Sequence, residues 1–302
     1  MNAVTPLHGP ARLLIAAAFL FAARDTTEAA PPLRAQAVVD LSFDESAGDA
    51  YDRSVEGRYK NRGTLINGVS RVPSPFWSQD GRQAILFDAA QKQLVQVADS
   101  GDVDRPDAAT VSFFFLSLHD LDDEAAHGIL AKRIDDAKSA NYGINFVPKS
   151  NVVQVYVNHG GGFRFPSYNL QEAFGSRRRV YLTATFERGD APDPDADTDA
   201  DDVRIRLFAN GKPLQPSSAT SAEVVGNDAW ITDVDATKLL NDAPLVLGAT
   251  TPELEFTSGV LDEFLLFPRA LGADEVAQLF LEIAGPSGPE FAQRESQEPP
   301  VR

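Results

Sequence analysis

Along most of the chain, apolar residues fall in short runs of four to nine positions, broken by turn residues. Val38 to Phe43 (VVDLSF) is the first such run, followed by a turn at Asp44–Gly48 and a polar, charged stretch from Asp49 to Arg62. Gly63 to Gly68 (GTLING) reads as a short strand closed by an Asn-Gly turn. Leu94–Val97 alternates as a half-buried strand does, whereas Thr110–Leu118 (TVSFFFLSL) has no period-2 break and predicts burial on both faces. Further strands are predicted at Gly128–Lys132, Tyr142–Val147, Val152–Val157 and Pro244–Ala249. Arg179–Phe186 and Val203–Ala209 predict a hairpin, with Arg204 and Arg206 on one face and Val203, Ile205 and Leu207 on the other, followed by an Asn210–Gly211 turn.

The stretch from Ser258 to Leu281 closes this series. Val260, Leu261 and Phe264–Phe267 have the branched and aromatic content of a buried strand, interrupted by the adjacent carboxylates Asp262 and Glu263. Pro268 ends the strand because it has no N–H for a ladder. Asp274 and Glu275 suit a helix N-terminus, and Val276, Leu279 and Phe280 recur at helical spacing. Many short strands, with one short helix after them, predict an all-β, two-sheet antiparallel sandwich.

The ends of the chain read differently. Arg12 precedes an apolar run of 11 residues, Leu13–Ala23, too short for the roughly 20 residues that span a bilayer. It fits the apolar core of an export signal, with small residues at Ala29 and Ala30 and a second small-x-small site at Ala35–Ala37. Cleavage near Ala29 or Ala30 is expected, so residues 1–30 are assigned as signal peptide; the alternative is an uncleaved anchor. No other stretch has the length and apolarity of a membrane-spanning helix. Residues 38–284 are assigned to the sandwich, and the Pro-rich, polar residues 286–302 to a disordered tail. The expected location is periplasmic or extracellular.

Three segments resemble laminin-G-like domains, the concanavalin A-like lectin/glucanase jelly rolls. The first holds Phe43–Gly48, Asp52–Ser54 and Asn61–Val69; the second is Gly81–Asp88 (GRQAILFD); the third is Gly259–Leu279 (GVLDEFLLFPRALGADEVAQL). The strand-Asn-Gly-Lys turn at Leu207–Leu214 is similar too. Two positions depart from the family: Ala89 stands where Gly is usual, and Phe114 where Trp is usual. The resemblance runs from Val38 to Ile283 and implies a jelly-roll sandwich that binds ligands. It also implies a structural Ca²⁺ between the N-terminal turn and the closing strand, with Asp44, Asn61 and Asp262 as ligands and Asp52 in reserve.

Composition narrows the chemistry. A formal charge of −17 argues against nucleic acid and anionic membrane surfaces. The absence of Cys removes disulfides and thiolate sites, and with four His in all an all-His metal site is not expected. His119, His127 and His159 each lie in turn-like polar context. Asp190–Asp202 carries seven Asp; Asp195, Asp197 and Asp199 have EF-hand spacing, but Ala200 and Arg206 occupy the Gly and Glu positions of that loop. It is read as a solvated acidic loop, with a looser Ca²⁺ loop as the alternative.

Aromatic residues in polar contexts are the candidates for stacking on sugars: Phe163, Phe165 and Tyr168 after a Gly-rich turn, and Trp77 and Trp230. Glycan-cleaving relatives of this sandwich carry Glu-x-Asp-x-Glu on one strand, which is absent here; Glu253 and Glu255, with Glu263, are the nearest carboxylates. The expectation is a non-catalytic binding module for a glycan or a cell-envelope protein. The alternatives are a protein-interaction or adhesion module that binds no sugar, and a glycan-cleaving enzyme.

Overall fold

The computed structural model describes residues 31–77, 81–134, 139–158, 163–170, 179–191, 201–220, 223–235 and 239–285. The export segment 1–30, most of the acidic run (192–200), His159 and the tail 286–302 lie outside the described residues.

The strands in chain order are β1 (Val39–Leu41), β2 (Gly63–Ile66), β3 (Ser70–Pro73), β4 (Gln83–Phe87), β5 (Leu94–Val97), β6 (Ala108–Ser117), β7 (His127–Arg133), β8 (Ala140–Val147) and β9 (Val152–Asn158). They continue as β10 (Phe163–Asn169), β11 (Arg179–Gly189), β12 (Asp202–Ala209), β13 (Lys212–Pro213), β14 (Ser218–Thr220), β15 (Glu223–Val225), β16 (Asp228–Ile231), β17 (Leu245–Leu247) and β18 (Gly259–Phe267). Helix α1 (Ala273–Ala284) follows. Two antiparallel sheets form. The first has the order β15-β16-β12-β11-β6-β18-β4-β3, with β1 also on β18 and β13 on β12; the second has the order β14-β10-β9-β8-β7-β17-β5-β2.

The hairpin read from the sequence is β11–β12, in register from Leu182–Ala209 to Gly189–Asp202. Val203, Ile205 and Leu207 enter the core between the sheets, while Arg204 and Arg206 face Glu187 and Asp228 on the other side. Asn210 and Gly211 both have positive φ, 50° and 76°, as a type I′ turn requires. A Cβ on Gly211 would also stand 3.2 Å from the Cα of Ala277, so this turn lies against α1. Ala89 begins a short 3-10 turn capped by Asp88, whose carboxylate accepts the Ala90 N–H.

Strand β18 sits centrally and is buried throughout. On one edge it pairs with β6; on the other it pairs first with β4, through Gly259–Leu261, and then with β1, through Phe264–Leu266. The adjacent carboxylates mark a β-bulge between Asp262 and Leu265, with Glu263 at φ 52°. The bulge resets the alternation: Leu261 and Phe264 both face the inter-sheet core, and Val260 and Leu265 both face α1, which a regular strand would forbid.

The face of the first sheet away from the core is covered by α1 and by the 3-10 turn Leu33–Gln36. Val276, Leu279, Phe280 and Ile283 of α1 pack on Phe114, Tyr181, Leu265 and Phe267. Leu33 joins this layer, and the Leu33 N–H donates to Glu282 of α1. The integrated fold therefore begins before Val38, the boundary read from the sequence. Phe114 lies on Trp77 with ring centroids 4.8 Å apart.

Candidate functional site

The two terminal strands are neighbours, as expected, and Asp44 lies close enough to Asp262 for its charge to raise that carboxyl's pKa. The oxygens of the expected Ca²⁺ ligands are nonetheless committed to protein partners. Asp262 is 1% exposed; one oxygen is 2.6 Å from the Ser74 hydroxyl and the other accepts the Glu263 N–H. Burial holds its pKa well above the usual value near 3.8, with the charge of Glu263 adding to the rise. Asp44 accepts the Gln83 N–H and faces Arg53. Asn61 is buried, its carbonyl oxygen accepting from the Ser100 hydroxyl. Asp52 accepts from the backbone of Asp40, Ser54 and Asn61. Ca²⁺ takes six to eight oxygens, and several of those in this set already accept hydrogen bonds from the protein.

The aromatic candidates separate in the same way. Tyr168 is fully buried in the inter-sheet core, which removes it as a stacking platform. Trp230 is 8% exposed within β16, with the Arg204 guanidinium 5.5 Å from its ring. Trp77 is half-buried against Phe114 and Arg82. Phe165 is half-buried on the outer face of the second sheet, beside Ala131, Ala140 and Tyr156. The Phe163 side chain lies outside the described residues.

Of the carboxylates weighed for catalysis, Glu263 is buried and held by Arg34 at 2.6 Å and Arg82 at 3.4 Å. Glu255 faces Arg133 at 3.4 Å, and Glu253 is exposed.

The structure instead builds a cleft of about 500 Å³ at one end of the sandwich, lined chiefly by Gln36, Glu56, Arg58, Tyr59, Arg105 and Arg269. That volume lies in the range of small-molecule sites. Its organiser is Asp102, 3% exposed. One Asp102 oxygen accepts the backbone N–H of Arg58 (2.7 Å) and of Tyr59 (3.0 Å) and the Asn61 side-chain amide (3.1 Å). These bonds fix the polar loop after β1 so that the Arg58 and Tyr59 side chains stand in solvent at the cleft. Gly57 lets the loop pass close: a Cβ there would fall 2.3 Å from the Val38 carbonyl oxygen.

The other two cations of the cleft are held in place. The Arg105 Nε donates to the Asp102 carbonyl, and burial lowers this guanidinium's pKa. Arg269 donates two bonds to Glu275 and one to Gln36. Arg58 and Glu56 have no side-chain partner among the described residues, and Tyr59 is 59% exposed. The cleft thus offers a free guanidinium, a free carboxylate and an aromatic face. Neither Asp102 nor Tyr59 carries a sequence motif; the signal available was a run of polar residues between two strands.

No family model matches the chain, and no curated protein does. Solved structures do. The binding domain of Paraclostridial Mosquitocidal Protein 1 aligns with 82% of this chain and 52% of its own, at 15% identity and a TM-score of 0.54. The binding domain of Botulinum neurotoxin DC in complex with rat synaptotagmin II aligns with 83% of this chain and 52% of its own, at 12% identity and a TM-score of 0.53. The same neurotoxin binding domain in complex with SialylT gives the same values. At these identities the similarity is one of fold, and the chain spans about half the length of the structures it matches.

Proposed function

We propose that this chain is a non-catalytic binding module of the laminin-G-like kind, taking a glycan in the cleft around Tyr59. The observation that carries this reading is the free trio of Glu56, Arg58 and Tyr59, presented at a cleft of about 500 Å³. The carboxylate and guanidinium supply an acceptor and donors for sugar hydroxyls, and the Tyr59 ring supplies a flat apolar face. The matched toxin binding domains, whose partners include SialylT and synaptotagmin II, support a binding role. Glycoside cleavage uses a pair of carboxylates. Two line the cleft, and Asp102 spends one oxygen on three N–H donors, leaving Glu56 without a partner for that chemistry.

A protein partner is the second reading. Tyr51, Val55 and Tyr59 are 55%, 75% and 59% exposed on the same loop, a concentration of large apolar side chains that suits a protein contact.

Export belongs to the same proposal. Cutting at Ala35–Ala37 would remove Leu33 and Arg34, both built into the fold, so cleavage near Ala29 or Ala30 is the site consistent with it. Intact mass of extracytoplasmic protein is expected to begin near Ala30 or Pro31, and retention of Met1 would overturn that part.

The test of the cleft is a glycan array probed with the wild type, Arg58→Ala and Tyr59→Ala. Both side chains are exposed, so stability should stay within about 0.5 kcal/mol. Binding that falls at least tenfold in either variant supports the site. Glycan binding unchanged in both would move it elsewhere, and no glycan binding by the wild type would favour the protein partner.

A further inference from the structure

At the other end of the β6–β18 pair, two connections cross between the sheets. Residues 118–126 lead from β6 to β7, and the segment after β17 returns through Phe256, Thr257 and Ser258 to β18. Thr110 pairs with Phe267 at the cleft end and Ser117 with Gly259 here, so roughly 25 Å of strand separates the two places.

Three side chains converge in this crossing. Among the described residues, His119, Asp123 and His127 form the one group of three His, Asp or Glu whose ligand atoms all lie within 4.8 Å of one another. Asp123 Oδ2 is 2.8 Å from His127 Nε2 and 3.6 Å from His119 Nδ1. The two imidazoles stack, with centroids 3.5 Å apart and planes 22° from parallel. The other carboxylate oxygen is held by the Ala125 N–H at 2.9 Å, which aims Oδ2 at the rings and depresses the pKa of Asp123.

The surroundings fix the rings. His127 Nδ1 donates to the Phe256 carbonyl at 3.0 Å, leaving Nε2 to face Asp123. His119 Nε2 accepts the Ser258 N–H at 2.8 Å and lies 3.1 Å from Thr257 Oγ1, so its ring proton sits on Nδ1, toward Asp123. One carboxylate oxygen therefore faces His127 Nε2, the nitrogen opposite the one that donates to Phe256, and the Nδ1–H of His119.

We propose that His119, Asp123 and His127 are a site for a divalent metal of the Zn²⁺ type, the ion lying between Asp123 Oδ2 and the two imidazole nitrogens that face it. Tetrahedral Zn²⁺, with ligands at 2.0–2.1 Å, sets neighbouring ligand atoms about 3.3 Å apart, and the observed 2.8 and 3.6 Å lie on either side of that spacing. A ring N–H on a backbone carbonyl, as His127 has, is the outer-shell arrangement of metal-bound histidine. Two imidazoles and one carboxylate suit Zn²⁺ or its neighbours among the transition metals and not Ca²⁺, which takes oxygen. The Asp123 side chain is 30% exposed, so the fourth position opens toward solvent. Binding parts the stacked rings, whose centroids at 3.5 Å are closer than those of two imidazoles on one tetrahedral ion, and moves the His119 proton to Nε2, with Thr257 Oγ1 as its acceptor, so that the Ser258 N–H gives up that nitrogen. The ion would tie together the two connections between the sheets. This site stands independently of the glycan cleft.

The experiment is a Zn²⁺ and Co²⁺ titration of chelator-treated full-length protein, read by calorimetry, by thermal melting and by the visible bands of bound Co²⁺. Wild type is expected to show one saturable equivalent that His119→Gln/His127→Gln lacks, a rise in melting temperature on saturation, and Co²⁺ bands that excess Ca²⁺ leaves in place. Asp123→Asn, a half-exposed substitution that keeps the fold, should weaken binding at least tenfold, and Thr257→Val 10- to 100-fold. The Ser258 amide resonance should shift on loading. A wild type with no saturable equivalent, or the same stoichiometry and Co²⁺ spectrum in Asp123→Asn and the double His variant, would overturn the proposal.

Discussion

The two sheets share one core but differ on their outer faces. The first sheet is covered by α1 and the turn Leu33–Gln36, so β18 is buried along its whole length and β6 along nearly all of it. The second sheet has small apolar clusters on its outer face, around Val246 and Tyr156, with half-buried positions between them such as Gln96 and Gln154. The difference is written in the strands: TVSFFFLSL and the flanks of the Asp262–Glu263 pair are continuous apolar runs, whereas Leu94–Val97 and Val152–Val157 alternate. A strand's pattern reports how many of its faces are covered, and one helix changes that number for half the molecule.

The sharpest test of this contrast is a matched pair of truncations. Phe114→Ala removes a ring packed on Phe76, Trp77 and Tyr181 beneath α1 and should cost about 3–5 kcal/mol in denaturant unfolding. Phe165→Ala, on the outer face of the second sheet, should cost about 1 kcal/mol. Equal losses would break the comparison.

The covered face also holds charge. Arg34 lies between Asp40, at 2.7 Å, and Glu263, at 2.6 Å. Arg34→Met leaves both carboxylates without that cation and should cost about 3 kcal/mol, with much of the loss recovered when Glu263→Leu is added, because an unpaired buried charge is worse than none. A double variant no more stable than the single one would show that the layer is not held this way.

A smaller effect comes from Asp262. The folded protein keeps this proton to a higher pH than the unfolded chain, whose value is near 3.8. As pH rises from 3.8 through the folded value, the folded state binds more protons, so stability falls. Asp262→Asn should reduce that slope, converging with wild type below pH 3.8 and melting higher at neutral pH. Glu263, whose pKa is also raised by burial, supplies the remaining slope. Parallel pH profiles for the two proteins would remove Asp262 from the account. The smallest effect is expected on the open face, where Gln154→Ala should change stability by no more than about 0.5 kcal/mol, whether measured by heat or denaturant.

The expected Ca²⁺ ligands show where reading the sequence stopped. That β1 and β18 are neighbours was legible, and Asp44 does come near Asp262. Nothing local said that Ser74 and the Glu263 N–H would take the oxygens of Asp262, since Ser74 is 188 residues away from it. Two of the aromatic candidates are buried for a related reason: Tyr168 and Trp230 sit among polar neighbours in the chain, yet the alternation of β10 turns Tyr168 into the core between the sheets, and the place of β16 beside β12 sets Trp230 under Arg204 on the outer face of the first sheet. The spacing His119-x3-Asp123-x3-His127 was visible in nine residues, but not that Phe256, Thr257 and Ser258 would orient the rings.

By itself the sequence determined the elements: strands from apolar runs, type I′ turns from Asn67–Gly68 and Asn210–Gly211, the terminal helix from its spacing and acidic first turn, and hence a two-sheet sandwich. These follow from backbone sterics and side-chain period, which act over a few residues. Only the tertiary structure decided which polar groups are buried together. Lys132 is read only as the charged end of a predicted strand, yet it is fully enclosed, its ammonium on Asp99, Asp104 and the carbonyls of Asn241 and Ala243. Asp102 reads as one acid among many, yet it shapes a loop 44 positions earlier in the chain. A charge buried in the fold must find its partners wherever the chain brings them, and that is settled by the packing of the sheets and not by the order of the residues.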